Sequence, residues 1–504
     1  MTKQKTQRRT APCITNSIIE FIEKDTTKIE KITKDFLLAG NTLRFEEGLR
    51  DALIELGRNI YQECLESIEQ EIRNSEFRKQ SYYIEHKADK RSLLTTFGNI
   101  EIERAHYKEK ATGERVYLLD KYIGLDAHDK VSTAALTRAL REAVETSYRK
   151  GGEEACLTAD VVSKQTVKKL IHKMDMEMEQ PVPEEKKKIK NLHIQADEDH
   201  VALQFFQKRG DIRKGENNRK INTAMPKLIL VYEDIICDGK TGCRRHKLTG
   251  KKYFGGLYEG SERNEDLWLK VQQYIYDHYD TDCLENVYIA DDGAPWITAG
   301  CHVLEKSKFV LDKFHLEKYI NKATSHLLDS QKDAKELIYE AINNRDMGEV
   351  KRLLQKCSAS AEAEGKKNEI HECIRYITNN WLGIMVRIDD GGAVWGCSAE
   401  GQISHVLSAR ESSRPMGWSK TGVHKMTQLR IETRNGTSLI DLMEYQQKQK
   451  KKKMQIEQQD KLVREVKRKH SLSQEEVVRK EIPGLERKGM YWMRDLIYKR
   501  GTTA

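Results

Sequence analysis

The chain has 504 residues, of which 38% are hydrophobic and 33% are charged, and its formal net charge is +9. The length predicts about three or four structural units, and the composition excludes an intrinsically disordered chain. The longest apolar stretch, Lys227 to Cys237, is far shorter than the ~20 residues of a membrane helix, and the N-terminus lacks the apolar run of a signal peptide. We therefore expect a cytoplasmic protein with no membrane partner.

The N-terminal part of the chain is predicted to be helical. Apolar residues recur at helical spacing from Ile18 to Ile68, which defines a helical region over residues 1–90. Over residues 91–127 the period changes, because Ile100 and Ile102 alternate with glutamates after a Phe-Gly-Asn sequence. This change predicts a β-hairpin element.

Residues 128–180 return to a helical pattern with a helix-turn-helix-like end. Ser163 is a candidate N-cap for an amphipathic helix that runs to Lys173. Its polar side presents amides and cations of the kind that enter the DNA major groove: Gln165, Thr166, Lys168 and Lys169. An ordinary short amphipathic helix has the same pattern, so both interpretations stay open. Two prolines and a charge run mark a linker over 181–190.

From residue 191 the predicted elements alternate in a way typical of an α/β domain. Three strands are followed by helix, strand, helix, strand and helix, which is the element order of an RNase H-like core. We assign residues 191–318 to its first part, 319–384 to an all-helical insertion, and 385–440 to its second part.

The ten cysteines include no Cys-x-x-Cys pair, which predicts reduced thiols without a disulfide framework. Cys237, Cys243 and His246 form a partial zinc-binding pattern. Because no fourth ligand stands at the required spacing, this segment is better interpreted as a loop between strands.

Acidic residues occupy chemically informative places in this core. Asp197 and Asp199 lie two residues apart on the first strand, and Asp292 stands at the end of the fourth. Glu400 begins a predicted helix with Ser398 as a candidate N-cap. Each acid alone is typical of a surface or capping carboxylate. Together, Asp197, Asp292 and Glu400 predict a site for two Mg²⁺ ions, with Mn²⁺ as a substitute, of the kind that transfers phosphoryl groups.

The last segment, residues 441–504, is a predicted helical tail with 17 Lys or Arg and 10 Asp or Glu residues. Its lysine run, Lys448 to Lys453, favours a polyanion partner such as DNA. A solvated lysine-rich helix face is the alternative.

Several motifs together resemble the bacterial insertion-sequence transposases of the ISLre type, which are distantly related to the Mutator-like group. The resemblance extends from about residue 15 to about residue 440, and the sequences that carry it are LLTTFGNIEIERAHY, ADEDHVALQ, ADDGAPWI, LDKFHLEKYI and AEGQISHVLSARESSRPMGW. It implies an RNase H-like DDE catalytic domain that acts on DNA. The family's acids fall on Asp197, Asp292 and Glu400, with Glu411 as an alternative for the third.

The resemblance also implies further roles and partners. His315 resembles a family histidine that contacts the scissile phosphate or the attacking water, although a structural histidine is an equal alternative. Downstream of Glu400 we expect a surface that binds transposon ends, formed by Arg410, Arg414, Trp418, Lys420, His424 and Arg430. A structural tryptophan in a Pro/Gly loop is the alternative. The expected partners are terminal inverted repeats, target DNA and a second copy in a homodimer, on the nucleoid. A non-catalytic DNA-binding regulator and a nuclease without strand transfer are the rival functions.

Overall fold

The computed structural model describes residues 26–450 except 177, 179–181, 216–217, 219–220, 238–245 and 395–397. The chain divides into one unit over residues 1–442 and a second over 443–504, whose described part, 443–450, is helical. Most of the predicted basic tail, and Cys243 of the partial zinc pattern, therefore lie outside the described residues. None of the described helices is long and apolar enough to span a membrane.

The N-terminal region contains three helices, a three-stranded antiparallel sheet and a short fourth helix. They are α1 (Thr26–Ala39), α2 (Thr42–Asn74), α3 (Glu76–Ser81), β1 (Tyr82–Thr95), β2 (Gly98–Glu109), β3 (Arg115–Val116) and α4 (Leu118–Ile123). The predicted hairpin is confirmed, but it begins earlier than expected. The prediction of helix as far as residue 90 is wrong after Ser81, where the chain enters β1. The sequence did not reveal this strand because its first half is polar and half-exposed and shows no clear alternation of buried and exposed side chains.

Three helices follow, and they pack on one another. They are α5 (Thr133–Glu145), α6 (Tyr148–Glu153) and α7 (Lys164–Lys173). The predicted N-cap of α7 is confirmed, because the Ser163 side chain accepts a hydrogen bond from the Thr166 backbone N–H. Val167 and Ile171 are fully buried, as the amphipathic pattern predicts.

A five-stranded mixed sheet organises the middle of the chain. Its strands are β4 (Asn191–Glu198), β7 (Lys227–Tyr232), β10 (Lys252–Gly256), β11 (Asn286–Asp291) and β12 (Ser307–Leu311). The spatial order is β10-β7-β4-β11-β12, in which β4 pairs antiparallel with β7 and parallel with β11. Two small hairpins accompany the sheet, formed by β5 (Val201–Ala202) with β6 (Thr223–Ala224) and by β8 (Asp234–Cys237) with β9 (His246–Thr249).

The sheet is covered on both faces. Leu192, Ile194 and Ala196 of β4 pack with Trp268 of helix α8 (Ser261–His278) in one core. The opposite face of β7 packs against residues of a broken helix and of a long helix near the C-terminal end of the unit. These elements are α16 (Ala399–Ile403), a π-helical turn (Ser404–Ser408), α17 (Ala409–Glu411) and α18 (Lys420–Arg434).

Short helices connect the last two strands, and a helical block follows them. The connecting helices are α9 (Pro295–Thr298) and α10 (Gly300–Val303). The block consists of α11 (Lys313–Thr324), a 3-10 turn (Ser325–Ser330), α12 (Gln331–Asn343), α13 (Met347–Ala359), α14 (Glu364–Asn379) and α15 (Trp381–Asp389). It has its own apolar core. Residues 386–392 were expected to re-enter the core; the first four of them form the last turn of α15, which packs on β12.

Candidate active site

Three aspartates stand where three neighbouring strands end. The register pairs Gln195 of β4 with Ala290 of β11, and Asp291 of β11 with Leu311 of β12. Continued to the strand ends, it places Asp197, Asp292 and Asp312 side by side at one edge of the sheet. The prediction that the strands carrying Asp197 and Asp292 are neighbours is therefore confirmed.

Asp197 and Asp292 interact electrostatically. Burial raises the pKa of the Asp197 carboxyl to about 6, and repulsion from Asp292 contributes to the same shift. Asp197 lies on the same face of β4 as the buried polar side chain of His193. The His193 ring lies between the rings of Tyr232 and Tyr288, whose centroids are 5.2 and 5.6 Å from its own. This polar face permits an acid on an otherwise apolar strand.

Asp291 differs from both of its acidic neighbours. It is only 2% exposed, and its Oδ2 atom has no hydrogen-bond partner among the described residues. Burial, with repulsion from Asp292 and Asp197, raises the pKa of Asp291 to about 10. At neutral pH this carboxyl is therefore protonated.

His315 lies beside the acids, and its partner is an aspartate that sequence reasoning missed. The His315 Nδ1 atom lies 3.1 Å from Asp312 Oδ2. The hydrogen bond to Asp312 raises the pKa of His315, and Asp292 adds to this effect, whereas the pKa of Asp312 is lowered although burial opposes the change. The sequence did carry a signal for this pair: Asp312 directly follows a predicted strand and stands three residues before His315.

The loop after β11 is held by the helical block. The Tyr376 hydroxyl of α14 donates a 2.7 Å hydrogen bond to the Asp292 carbonyl, and its ring stacks on Tyr319 at 4.0 Å. Gly293 has φ +92°, a conformation that favours glycine, and any Cβ there would collide with the Asn380 side chain. The block thus fixes the backbone that carries Asp292.

The third predicted acid is placed differently. Glu400 is exposed at the start of α16, while the Ser398 hydroxyl before it donates 2.8 Å to Gln195 Oε1 on β4. Ser398 is the N-cap residue of α16, as predicted, but its side chain makes no capping hydrogen bond. The alternative, Glu411, is 1% exposed, and both of its oxygens lie 3.1 Å from the Thr427 hydroxyl. Asp199, expected beside Asp197, lies beyond the strand end and accepts a hydrogen bond from Ser412.

Arg410 and Trp418 do not form an exposed DNA-binding surface. They are 3% and 5% exposed, and the Arg410 guanidinium lies 4.7 Å from the Trp418 ring centroid. Arg410 also donates to the Ala143 carbonyl of α5, and the Trp418 indole donates to the Glu411 carbonyl. The predicted DNA contact is therefore corrected to a structural role, because the Arg410 guanidinium and the Trp418 indole make their contacts inside the protein.

The other predicted DNA contacts are more accessible. Gln165 and Lys169 of α7 and Arg414 are exposed, whereas Thr166 and Lys168 are half-buried. Lys420 is half-buried and lies 2.7 Å from Glu259 Oε2 in an ion pair. The structure therefore divides the predicted residues into a surface-accessible set on α7 and an interior set around Trp418.

The acids at the sheet edge have the chemistry of a divalent-cation site. Two carboxylates that repel each other, with Asp197 forced towards protonation, are stabilised by a hard cation that takes oxygen ligands. Among the described residues, however, no group of three or more His, Cys, Asp or Glu side chains is arranged to hold a metal ion. A cation held by Asp197 and Asp292 would therefore need at least one further ligand.

Comparisons with known proteins give one consistent result. A family model described as an uncharacterised protein family (UPF0236) matches residues 38–450. UPF0236 protein TTE2489 of Caldanaerobacter subterraneus subsp. tengcongensis is 35% identical over 422 residues, which are 83% of this chain and 84% of the relative. A second relative, TTE0402, is also 35% identical and is covered over 79% of its length. The name of a third, 34% identical, joins eleven locus designations of that organism.

Proposed function

The chain belongs to the UPF0236 family, which is described as uncharacterised, and we propose that it is a DDE transposase with an RNase H-like catalytic core. The proposal starts from the neighbouring acids Asp197 and Asp292. In this proposal the protein cleaves transposon ends to free a 3′-hydroxyl and joins that hydroxyl to target DNA. The single observation that carries the proposal is the placement of Asp197 and Asp292 at the ends of two parallel, adjacent strands.

The sheet supports the fold part of the proposal. In chain order β4 is the first strand of the sheet, and it lies between the second strand, β7, and the fourth, β11. Asp197 lies near the end of β4, and Asp292 directly follows β11. This is the arrangement expected of an RNase H-like core, in which acids distant in sequence meet at one edge. The helical block follows β12 where the resemblance to Mutator-like transposases expects an insertion.

The repetition of the family within one genome also supports mobility. One curated relative carries eleven locus designations and another carries four, all in the same organism. Many loci for a single protein are the pattern that a self-copying or moving DNA element produces. A housekeeping regulator or nuclease is not expected to occur at so many loci of one genome.

The side chains at the site have separable roles in this proposal. Asp197 and Asp292 hold Mg²⁺, with Glu400 or Glu411 brought up as the third ligand when DNA binds. The bound metal supplies Lewis acidity and an activated oxygen nucleophile. His315, whose pKa is raised by its hydrogen bond to Asp312, lies near Asp292 and contacts the scissile phosphate. Asp291 stays neutral behind them and positions the strand end.

Strand transfer with pre-cleaved ends tests the proposal. DNA duplexes from the element's flanking inverted repeats are incubated with target plasmid and Mg²⁺, and joined products are measured. Wild type is expected to join them, whereas Asp197→Asn and Asp292→Asn lose activity by a thousandfold or more, on the order of a removed catalytic group. The exposed Asp282→Asn is the matched control and remains active.

The same assay separates the rivals. Cleavage without joined products identifies a nuclease, and DNA binding with neither reaction identifies a regulator. Glu400→Gln and Glu411→Gln, measured in parallel, identify the third acid. If Asp197→Asn and Asp292→Asn both retain full activity, the catalytic proposal is wrong.

A further inference from the structure

A cleft of about 900 Å³ lies next to the acid pair. The Ala294 backbone N–H in the cleft wall donates a 2.9 Å hydrogen bond to Asp292 Oδ1, while Glu198, which follows Asp197 on β4, reaches the cleft from the opposite face of that strand. The volume is in the range of sites that enclose one small aromatic ligand. A group bound here is thus within a short reach of a phosphate held by the acids.

The inner part of the cleft contains two buried hydrogen-bond donors. Trp296 is 9% exposed, and its indole N–H has no hydrogen-bond partner among the described residues. Lys227 is 6% exposed; its ammonium lies 4.6 Å from the Trp296 ring centroid and donates to Asn264. A buried donor without an acceptor is costly and rare in native proteins. The Trp296 N–H is therefore available for an acceptor on a ligand.

The outer walls provide aromatic surface and acceptors. Phe206 and Tyr258 are half-buried, and Phe206 is braced by Arg213, whose guanidinium lies 3.5 Å from the ring centroid. Glu198 and Glu259 add carboxylates to the lining. Lys420 pairs with Glu259, and Lys227 lies in the same lining, so the cleft carries both signs of charge, and a neutral, flat heterocycle finds aromatic faces, donors and acceptors together there.

We propose that this cleft binds one unpaired nucleobase of the DNA strand that is cut, beside the scissile phosphate. The inference rests on the proposed DNA-cleaving function and adds a ligand subsite to it. Enzymes that act within duplex DNA gain access and selectivity by taking a base out of the stack. Here the base enters the cleft, while its phosphodiester stays outside at Asp197 and Asp292.

Fluorescence of 2-aminopurine tests the subsite. The probe is a 20-base-pair duplex with one unpaired 2-aminopurine, compared with the same duplex fully paired, in Ca²⁺ to prevent cleavage. We expect several-fold quenching of the unpaired base and tighter binding of its duplex. Phe206→Ala and Trp296→Phe should reduce that preference about tenfold. The exposed Tyr122→Ala, remote in sequence from the cleft residues, serves as the matched control and leaves it unchanged.

Other outcomes separate this inference from the function on which it rests. Free dAMP that binds more tightly than the unpaired duplex assigns the cleft to a mononucleotide and overturns the DNA assignment. Equal binding and no quenching overturn the subsite, even if Mg²⁺-dependent plasmid cleavage is intact and lost in Asp292→Asn. Quenching without any cleavage under Mg²⁺ leaves the subsite and overturns the proposed function. Because Phe206 is half-buried, its variant keeps the test valid if Trp296→Phe fails to fold.

Discussion

Neighbouring acids in this chain experience very different environments. Asp291 is buried and protonated, Asp197 titrates near pH 6, and Glu411 is buried beside two arginines. Sequence position was sufficient to predict that Asp197 and Asp292 lie at neighbouring strand ends, but it did not identify Asp312 as the partner of His315 and it grouped the exposed Glu400 with them. It was not sufficient to predict burial, so Arg410 and Trp418 were assigned to a surface although they lie inside.

Glu411 predicts a pH dependence of stability. Burial raises its pKa from 4.5 to about 8, so the folded chain retains a proton that the unfolded chain releases at lower pH. This contribution to the free energy of unfolding is complete below pH 4.5 and is lost as pH rises through 8. Glu411→Gln, which stays neutral, should gain stability relative to wild type between pH 6 and pH 9.

Urea denaturation at pH 6, 7.5 and 9 measures this difference. The exposed Glu400→Gln is the control and should follow wild type at each pH. Parallel midpoints for wild type and Glu411→Gln across the series are incompatible with a protonated, buried Glu411.

At the scale of elements, apolar strands were predictable and polar ones were not. β4, β7, β11 and β12 were predicted from short apolar runs, and the neighbouring positions of β4 and β11 were expected from the RNase H-like element order. The first half of β1 was missed because its side chains are charged and half-exposed. The contact of α14 with the Asp292 loop had no sequence signal, since it joins residues 84 positions apart.

The α14 contact predicts a positioning role for Tyr376. Tyr376→Phe removes the hydrogen bond to the Asp292 carbonyl and should cost about 1 kcal/mol of stability. Because that bond orients a proposed metal ligand, DNA cleavage should fall about tenfold and recover partly at higher Mg²⁺ concentration. Tyr339→Phe in the same helical block is the control and leaves the Mg²⁺ dependence unchanged. An identical Mg²⁺ titration for Tyr376→Phe and wild type removes this role.

Close packing of α6 predicts a sensitive glycine. A Cβ at Gly152 would collide with the Val162 carbonyl just before α7, so Gly152→Ala should lower the free energy of unfolding by about 3 kcal/mol. Gly365→Ala on α14 meets no atom within 4 Å and should be neutral or slightly stabilising. Thermal denaturation of both variants compares them directly. A Gly152→Ala melting temperature equal to that of wild type would show that α6 and α7 are not so tightly packed.

At the scale of the whole molecule, charge is concentrated at one end of the chain. Residues 441–504 hold 17 basic and 10 acidic side chains, an excess of +7 out of a total of +9. When basic side chains neutralise DNA phosphates, condensed counterions are released. If the tail binds DNA, the affinity of the protein for DNA should therefore fall as the salt concentration rises. The sequence predicts this property without any knowledge of the tail's fold.

Exchange of five lysines for glutamine tests this contribution: Lys448, Lys450, Lys451, Lys452 and Lys453. The slope of log affinity against log salt should fall by up to about 4.5, since each of five phosphate contacts contributes about 0.9. The matched control exchanges five lysines of the helical block: Lys332, Lys335, Lys351, Lys356 and Lys367. Equal slopes for the two variants contradict a DNA contact by the tail.

Iron-directed cleavage of the polypeptide tests most directly whether Asp197 and Asp292 hold a divalent cation together. Fe²⁺ replaces Mg²⁺ on the DNA-bound protein, ascorbate and peroxide generate hydroxyl radicals at the metal, and the peptide fragments are mapped. We expect cuts near residues 197 and 292, both lost in Asp292→Asn and both competed by excess Mg²⁺. Cuts elsewhere only, or a pattern unaffected by Asp292→Asn, would contradict the account.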